Sequence, residues 1–472
     1  MLLNNLSLSS SADPYKDQTE KINLIIRWFA HDALVHLLSP HGLEQFGGAA
    51  WGTRDVSQGP TELFLSTGNF AYVRSILKIL YSHQFREDGN WPQWFMYDEY
   101  FSEFSSESHG DMIIWPLKVL VDYIEVSGDQ SILFENIPYF DKQERAFTGT
   151  KYSILEHVKK EISYIENHFL YGTKVSAYGD GDWDDTLQPA DPKQKQNMAS
   201  TWTEELTIQV LRKSSRILDF NDYSSHIKEI ADLMFKDFKK YFLDQPFLPG
   251  FISLDKNLKR TNIIFPGDSV THINYRLIPM TRAIISGIYT GQKAQETIST
   301  IKKELLFPDG VRLMDRPAVY HGGVSKIFKR AEQSANFGRE IGLMYTHAHI
   351  RYIEALAKTG DPSAWEALFL VDPINLRKVL ANSDFRQANV YFSSSDAAFN
   401  DRYQAQKDFR LLSKGKIKVK GGWRLYSSGP GIYIKTLISD ILGIDFVSGD
   451  YDVSSSIPKE AGLDIHFKKR FS

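Results

Sequence analysis

Apolar residues in this chain recur at the spacing of a helix face, and the same kind of glycine turn keeps cutting the runs. Ile22, Ile25, Ile26, Phe29 and Ala30 fall at i, i+3, i+4, i+7 and i+8. Tyr72, Val73, Ile76, Leu77 and Leu80 repeat the pattern, as do Ile227, Ile230, Ala231, Met234, Phe235 and Phe238. Further helices are predicted over about 151–168, 203–218, 270–289, 292–305 and 339–358. Thr67-Gly68-Asn69, Ser127-Gly128-Asp129, Thr290-Gly291-Gln292 and Thr359-Gly360-Asp361 punctuate them. Glycine suits the left-handed residue that ends a helix, and Asn or Asp can cap the next one. The turns are unequally spaced, which argues against a short solenoid repeat. Alternating strands are few before residue 445. The expected fold is all-α, a ring of helical hairpins forming an α/α barrel over residues 1–444; an irregular helical bundle is the alternative. Residues 445–472 change character: Asp445–Asp450 and Leu463–Phe467 read as a short, incomplete β segment.

Composition narrows the function more than the fold. The chain has 472 residues and a net charge of −3, so no global basic field draws it to nucleic acid or a membrane surface. Cysteine is absent, which removes disulfides, thiolate metal sites and cysteine nucleophiles. The N-terminus carries no basic region followed by an apolar run, and no stretch approaches a membrane span of about 18 apolar residues. The expected setting is therefore the cytoplasm. Aromatic residues make 13% of the chain, and Trp51, Trp91, Trp94 and Trp183 fall in loops rather than helices. Such rings fill cores or grip sugars.

Those loops are long, at about 41–60, 86–111, 172–202, 306–338 and 383–430, and loops of this length are usually functional. Asp180, Asp182, Asp184 and Asp185 crowd one of them around Trp183. Packed like charges and a neighbouring indole favour a carboxyl group that keeps its proton and can protonate a leaving oxygen. A calcium loop is a competing reading. It lacks the glycine and the glutamate that an EF-hand needs, since Asp185 and Asp191 stand there. A solvated acidic turn is another. Gly47-Gly48-Ala49 leads to Arg54-Asp55, a donor fork beside an acceptor pair, suited to sugar hydroxyls or to a helix cap. Glu340 and His347 lie seven residues apart, on one face if a helix begins that early. His347 and His349 do not share a face, so no metal pair is expected. Ser427-Ser428-Gly429-Pro430-Gly431 opens an amphipathic helix, where free N–H groups and the helix dipole suit an anion.

In this order, the loops resemble the catalytic region of the inverting disaccharide and β-glucan phosphorylases. That group includes cellobiose phosphorylase, chitobiose phosphorylase and the phosphorylase part of cyclic β-1,2-glucan synthase. Gly47-Gly48-Ala49 to Arg54-Asp55 is similar to their glycine-rich Arg-Asp loop. Asp182-Trp183-Asp184-Asp185 resembles their Asp-Trp-Asn-Asp motif, with Asp184 in place of Asn. Arg339-Glu340 through Tyr345-Thr346-His347-Ala348 and the Ser427–Gly431 turn resemble two further motifs. Ser39–Gln45, Trp91-Pro92-Gln93-Trp94-Phe95 and His109-Gly110-Asp111 lean toward the β-1,3-glucan branches.

The resemblance implies an (α/α)6 barrel and phosphorolysis with inversion, releasing α-glucose 1-phosphate. It makes Asp185 the catalytic acid. Arg54, Asp55, Trp183, Asp182, Glu340 and Asp111 become the sugar site, and His347, Ser427, Ser428 and Gly429 the phosphate site. Inorganic phosphate is the co-substrate, with no metal or other cofactor expected. The cellobiose-type enzymes add an arginine upstream of the Arg-Asp loop. Residues 31–53 contain none, which leaves His41, Arg339 or Arg330 as substitutes. The relatives' N-terminal β-sandwich has no counterpart, so a homodimer or a second chain is expected to supply it. An inverting hydrolase, with Glu340 or Asp111 as its base, is the enzyme alternative. A non-catalytic carbohydrate-binding remnant is the other.

Overall fold

A computed structural model describes residues 6–38, 50–218, 221–319, 322–332, 344–372, 374, 376–384, 394–421, 428–454, 457 and 461–467. Helices alternate along the chain between a buried and a half-exposed role. The half-exposed set is α1 (Tyr15–Leu38), α3 (Phe70–Ser82), α5 (Ile154–Asn167), α7 (Asn221–Phe238), α9 (Gly291–Glu304) and α11 (Ser363–Leu368). The inner set is α2 (Gly59–Ser66), α4 (Trp115–Ser127), α6 (Thr201–Ile217), α8 (Leu277–Ile285), α10 (Thr346–Thr359) and α12 (Ser428–Lys435). Every residue of α2 and α8 is buried, whereas α9 buries only Ala294, Thr297, Ile298 and Ile301. Each inner helix packs on the next, from α2 through α4, α6, α8 and α10 to α12, and α12 packs back on α2. The result is a barrel-like ring of (α/α)6 type.

Closure of the ring is tightest where α2 meets α12. A Cβ on Gly431 would lie 2.0 Å from the Gly59 carbonyl oxygen, and one on Gly59 would lie 2.5 Å from the Ser428 Cα. Two helices can touch backbone to backbone only where neither carries a side chain. The inner helices also start at one end of the ring, because the residues before or at their first turns touch one another. Arg54 contacts Asp111, Ser200 and Arg276 both reach Asp182, and His347 contacts Ser428. That end carries the candidate site. The interior below it is ionic. Arg351 joins Glu62 at 2.7 Å and Glu354 at 2.8 Å, and Lys435 joins Glu354 and Asp440, around a cavity of about 250 Å³.

The purely all-α expectation needs correction, since the loops pair into small antiparallel sheets. Asn136–Asp141 pairs with Ala146–Ser153, and Phe251–Leu254 lies between Met198–Ser200 and Arg260–Ile263. Most of these strands are only three or four residues long, and pairing satisfies backbone groups that burial would otherwise orphan. The predicted 151–168 helix begins later, at Ile154. Ser153 and Glu156 form a reciprocal capping box there, and the preceding residues belong to a strand. The predicted 270–289 helix shrinks to Leu277–Ile285. Asp268 accepts the N–H groups of Ile264, Val270 and Thr271, and Asp315 those of Asn274 and Tyr275, so that backbone turns around carboxylates instead. The predicted 339–358 helix begins at Thr346, because Met344–Tyr345 pairs with Ser394–Ser395. In the tail, Ile444–Val447 and Asp450–Val453 form a hairpin. Leu463–Phe467 pairs with Leu6–Ser10, whose Leu6 and Leu8 are buried.

Two predictions follow from this packing. Gly431→Ala should cost about 1–3 kcal/mol through overpacking, whereas Gly149→Ala, with nothing within 4 Å, should be near neutral. Thermal unfolding of the two variants checks this. Burial also lowers the pKa of His83 and of His157 to about 4. The unfolded chain then binds protons below about pH 6.5 that the fold refuses, so stability falls as pH drops from about 6.5 toward 4. At pH 5 each imidazole should cost about 2 kcal/mol relative to pH 8. Urea unfolding at the two pH values, with and without His157→Asn, measures its share.

Candidate functional site

The acidic loop divides its four carboxylates rather than crowding them. Asp182 is fully buried: Arg276 Nη2 reaches both its oxygens at 2.9 and 2.8 Å, and Ser200 Oγ donates to it at 2.5 Å. Asp184, also fully buried, accepts from the Thr186 N–H and hydroxyl and caps a 3₁₀ turn over Asp185–Leu187. Asp180 turns outward to Lys195. Three separate partners account for three aspartates, so the loop is not a simple solvated turn. Asp185 remains, with a side chain 24% exposed against 0% for Asp182. Its Oδ1 lies 3.8 Å from Arg54 Nη1 and 3.7 Å from His109 Nδ1, too far for a hydrogen bond to either.

Arg54 is the hub on the opposite wall. The short pairing of Trp51–Gly52 with Trp94–Phe95 and the Thr53 N–H to Gln93 carbonyl bond fix its turn. Its guanidinium reaches Asp111 through Nε (2.9 Å) and Nη2 (3.1 Å), and Nη1 donates to the Trp183 carbonyl at 3.0 Å. Burial opposes the Arg54 charge, but Asp111, Asp185, Asp55 and Asp182 outweigh it and hold the group protonated. Arg54 is 7% exposed, so its fork is committed to protein partners. Asp55, half-buried, sits on the same turn. Asp111 is fully buried and also accepts from the Trp115 indole at 2.8 Å. Both oxygens of this enclosed carboxylate are thus engaged by protein donors.

A second group of predicted site residues meets at the first turns of α10 and α12. His347 Nδ1 is 3.0 Å from Ser428 Oγ, joining the first turns of α10 and α12. Burial, then the charges of Arg351, Arg282 and Arg54, lower the His347 pKa well below its ordinary value, so the imidazole is neutral and able to donate one hydrogen bond. Gly429 follows Ser428 and is buried with it. Trp183 links corner to acid, its ring edge-on to Tyr345 at 5.1 Å and to His347 at 4.8 Å. Arg54, Asp111, Asp182, Trp183, Asp185, His347 and Ser428 thus come together from separate loops. Glu340 and Ser427 lie outside the described residues, as do His41 and Arg339. The helix that carries His347 begins at Thr346. Arg330 is exposed beside the acid loop, one residue before Ala331, whose N–H bonds the Thr186 carbonyl. Arg276, Ser200 and Gln188 were not foreseen. Arg276 lies 94 residues from Asp182, and nothing local in the sequence marks it. Trp91, expected in the cleft, is core: it is fully buried and its indole donates to the Leu80 carbonyl.

A barrel-like ring of helices carries this cluster at the end where its inner helices begin. The chain belongs to the glycosyl hydrolase 94 superfamily, whose catalytic-domain profile matches residues 44–405. It is 52% identical over 452 residues to a 1,2-beta-oligoglucan phosphorylase of Listeria innocua, covering 95% of this chain and 41% of that protein. A cellobionic acid phosphorylase of Neurospora crassa is 22% identical over 255 residues, covering 53% of this chain and 30% of that protein. The chain therefore spans less than half the length of these relatives. Among solved structures, a GH78 family rhamnosidase of Bacillus sp. GL1 shares the fold with a TM-score of 0.54 at 12% identity, over 94% of this chain and 37% of that one. A glycosidase variant does so with a TM-score of 0.51 at 11% identity, over 89% and 98%.

The expected lean toward the β-1,3 branch is not supported, because the 52% identical relative is named for 1,2-linked glucan. Among the residues that suggested it, Trp91 and Phe95 are core, Gln93 holds the Arg54 turn through its carbonyl, and His109 and Asp111 are fully buried around Arg54. The described residues of this set are thus largely held in protein contacts.

Removing one member of the Asp182–Arg276 pair leaves a buried charge alone, a loss of about 3–5 kcal/mol. Asp182→Ala should show it in urea unfolding, and Asp182→Ala combined with Arg276→Met should cost less than the two single losses added.

Proposed function

We propose that this chain carries the catalytic domain for phosphorolysis of β-1,2-linked glucose oligosaccharides, with inversion and release of α-glucose 1-phosphate. The reading is supported by family membership, by the 52% identical 1,2-beta-oligoglucan phosphorylase, and above all by one observation of geometry. Among the carboxylates of the acidic loop, Asp185 is partly exposed and takes no hydrogen bond from Arg54 or His109, and Trp183, two residues before it, meets His347 of the His347–Ser428 pair edge-on.

In this scheme a phosphate oxygen attacks the anomeric carbon from the His347–Ser428 side. The bond from that carbon to the glycosidic oxygen breaks, and Asp185 delivers its proton to the departing oxygen. Phosphate arrives already anionic, so the site needs an anion pocket in place of the second carboxylate that an inverting hydrolase uses. Neutral His347 and the Ser428 hydroxyl supply hydrogen bonds without a fixed positive charge, and the start of α12 supplies dipole and N–H groups. Asp55 and Trp183 are assigned to the sugar. Arg54, Asp111 and Asp182 hold those groups in place. The ring is read as a full (α/α)6 barrel, phosphate is the co-substrate, and no further cofactor is invoked. A cytoplasmic setting accompanies this reading.

Incubation with inorganic phosphate and parallel sets of β-1,2- and β-1,3-linked gluco-oligosaccharides tests it, with glucose 1-phosphate as the readout. The expected result is phosphate-dependent product from the 1,2 set. Equal sugar release with and without phosphate would refute it. Asp185→Asn should lower turnover by about 10²–10⁴-fold, the range of a lost general acid. Ser428→Ala should raise the KM for phosphate more than that for glucan.

A further inference from the structure

Asp185 lies between two anchors. Upstream, Asp182 is fixed by Arg276 and Ser200. Downstream, the stretch 186–190 is bonded to a separate loop, 326–332. The Ala331 N–H donates to the Thr186 carbonyl at 3.0 Å, Lys329 to Gln188 at 2.9 Å, and Ala190 back to Ile327 at 2.9 Å. Phe328, fully buried, faces Phe251 with ring centroids 5.3 Å apart and bridges to Pro189.

One side chain shapes that loop. Glu332 is 9% exposed, and its carboxylate accepts three backbone N–H groups: Lys326 on Oε2, and Ile327 and Phe328 on Oε1, each at 2.7 Å. Three short charge-assisted bonds to consecutive amides set the direction in which residues 327–331 leave the turn. Those residues in turn set the height of Thr186, the neighbour of Asp185, and of Gln188, whose amide is 3.5 Å from His109 Nε2. A carboxylate suits this task because it only accepts. An amide in its place would present an –NH2 group to at least one backbone donor.

We propose that Glu332 is a positioning residue for the acid step, acting through the 327–331 to 186–190 ladder on the Asp185 carboxyl. The proposal rests on the phosphorylase reading and adds to it a residue from a loop that contributes nothing to the acidic motif. Its consequence is specific. Proton delivery matters for a sugar leaving group and little for a nitrophenolate, which departs without protonation. Misplacing Asp185 should therefore slow phosphorolysis of a gluco-oligosaccharide far more than that of a nitrophenyl β-glucoside.

The experiment compares the unmodified chain, Glu332→Gln and Ala331→Pro on these two substrates with inorganic phosphate. Ala331→Pro removes the N–H that bonds Thr186 and leaves Glu332 untouched, so it tests the ladder if Glu332→Gln does not fold. The expected result is a loss in kcat of tenfold or more, on the order of a partly lost general acid, on the oligosaccharide. Loss on the aryl glucoside should be about threefold or less, with the KM for phosphate nearly unchanged. Equal losses on both substrates, or no loss on either, would overturn the role of Glu332. An unmodified chain that is inactive with phosphate on both would overturn the phosphorylase reading itself.

Discussion

The buried pair between Arg276 and Asp182 is the interaction on which the candidate site depends. It ties the start of α8 to the acidic loop and brings in Ser200 from the start of α6. Its desolvation is costly, and such a pair adds little to stability compared with a well-packed apolar contact. What it contributes is placement. With Asp182 and Asp184 both held inside, the next aspartate in the chain is turned toward the cleft. Arg54 repeats the arrangement on the facing wall, holding Asp111 beneath it and the Trp183 carbonyl beside it. The acid is thus framed by two arginines that pair with other carboxylates.

The ring of inner helices makes that arrangement possible. Because each inner helix begins at the same end, six separate stretches of sequence present their first turns to one cleft. First turns carry free N–H groups and the positive end of the helix dipole, a setting that suits an anionic co-substrate. The glycine contact between α2 and α12 draws Ser428 toward the Arg54 turn. Deeper in the ring, Arg351 and Arg282 complete the electrostatics. Their charges help to keep His347 neutral, so the corner offers hydrogen bonds while positive charge stands a turn away.

Much of the helical order was legible locally. The apolar faces of α1, α3 and α7 follow the 3.6-residue period, and Gly128 and Gly360 end their helices in the left-handed conformation that the turns implied. Two of the late helix starts share an origin. At Ser153, Asp268 and Asp315, side chains capture backbone N–H groups, so helices start later than the apolar period suggests. The site was legible as a set of motifs, with Asp185, Arg54, His347 and Ser428 named by pattern and resemblance. Their division of labour was not. The sequence shows four aspartates in six residues, and only the fold separates three that are tied to protein partners from one that is available.

What the amino-acid order determined by itself is therefore the alternation of helices, their glycine stops, and the chemical types gathered in each loop. Those properties depend on neighbours within about four residues, the reach of helical periodicity and capping. Tertiary structure decided the pairings across long gaps: Arg276 with Asp182, Arg54 with Asp111, His347 with Ser428, and Ala331 with Thr186. Such partners are chosen by burial, because a charge or amide taken from water must find its complement wherever the packed helices place one.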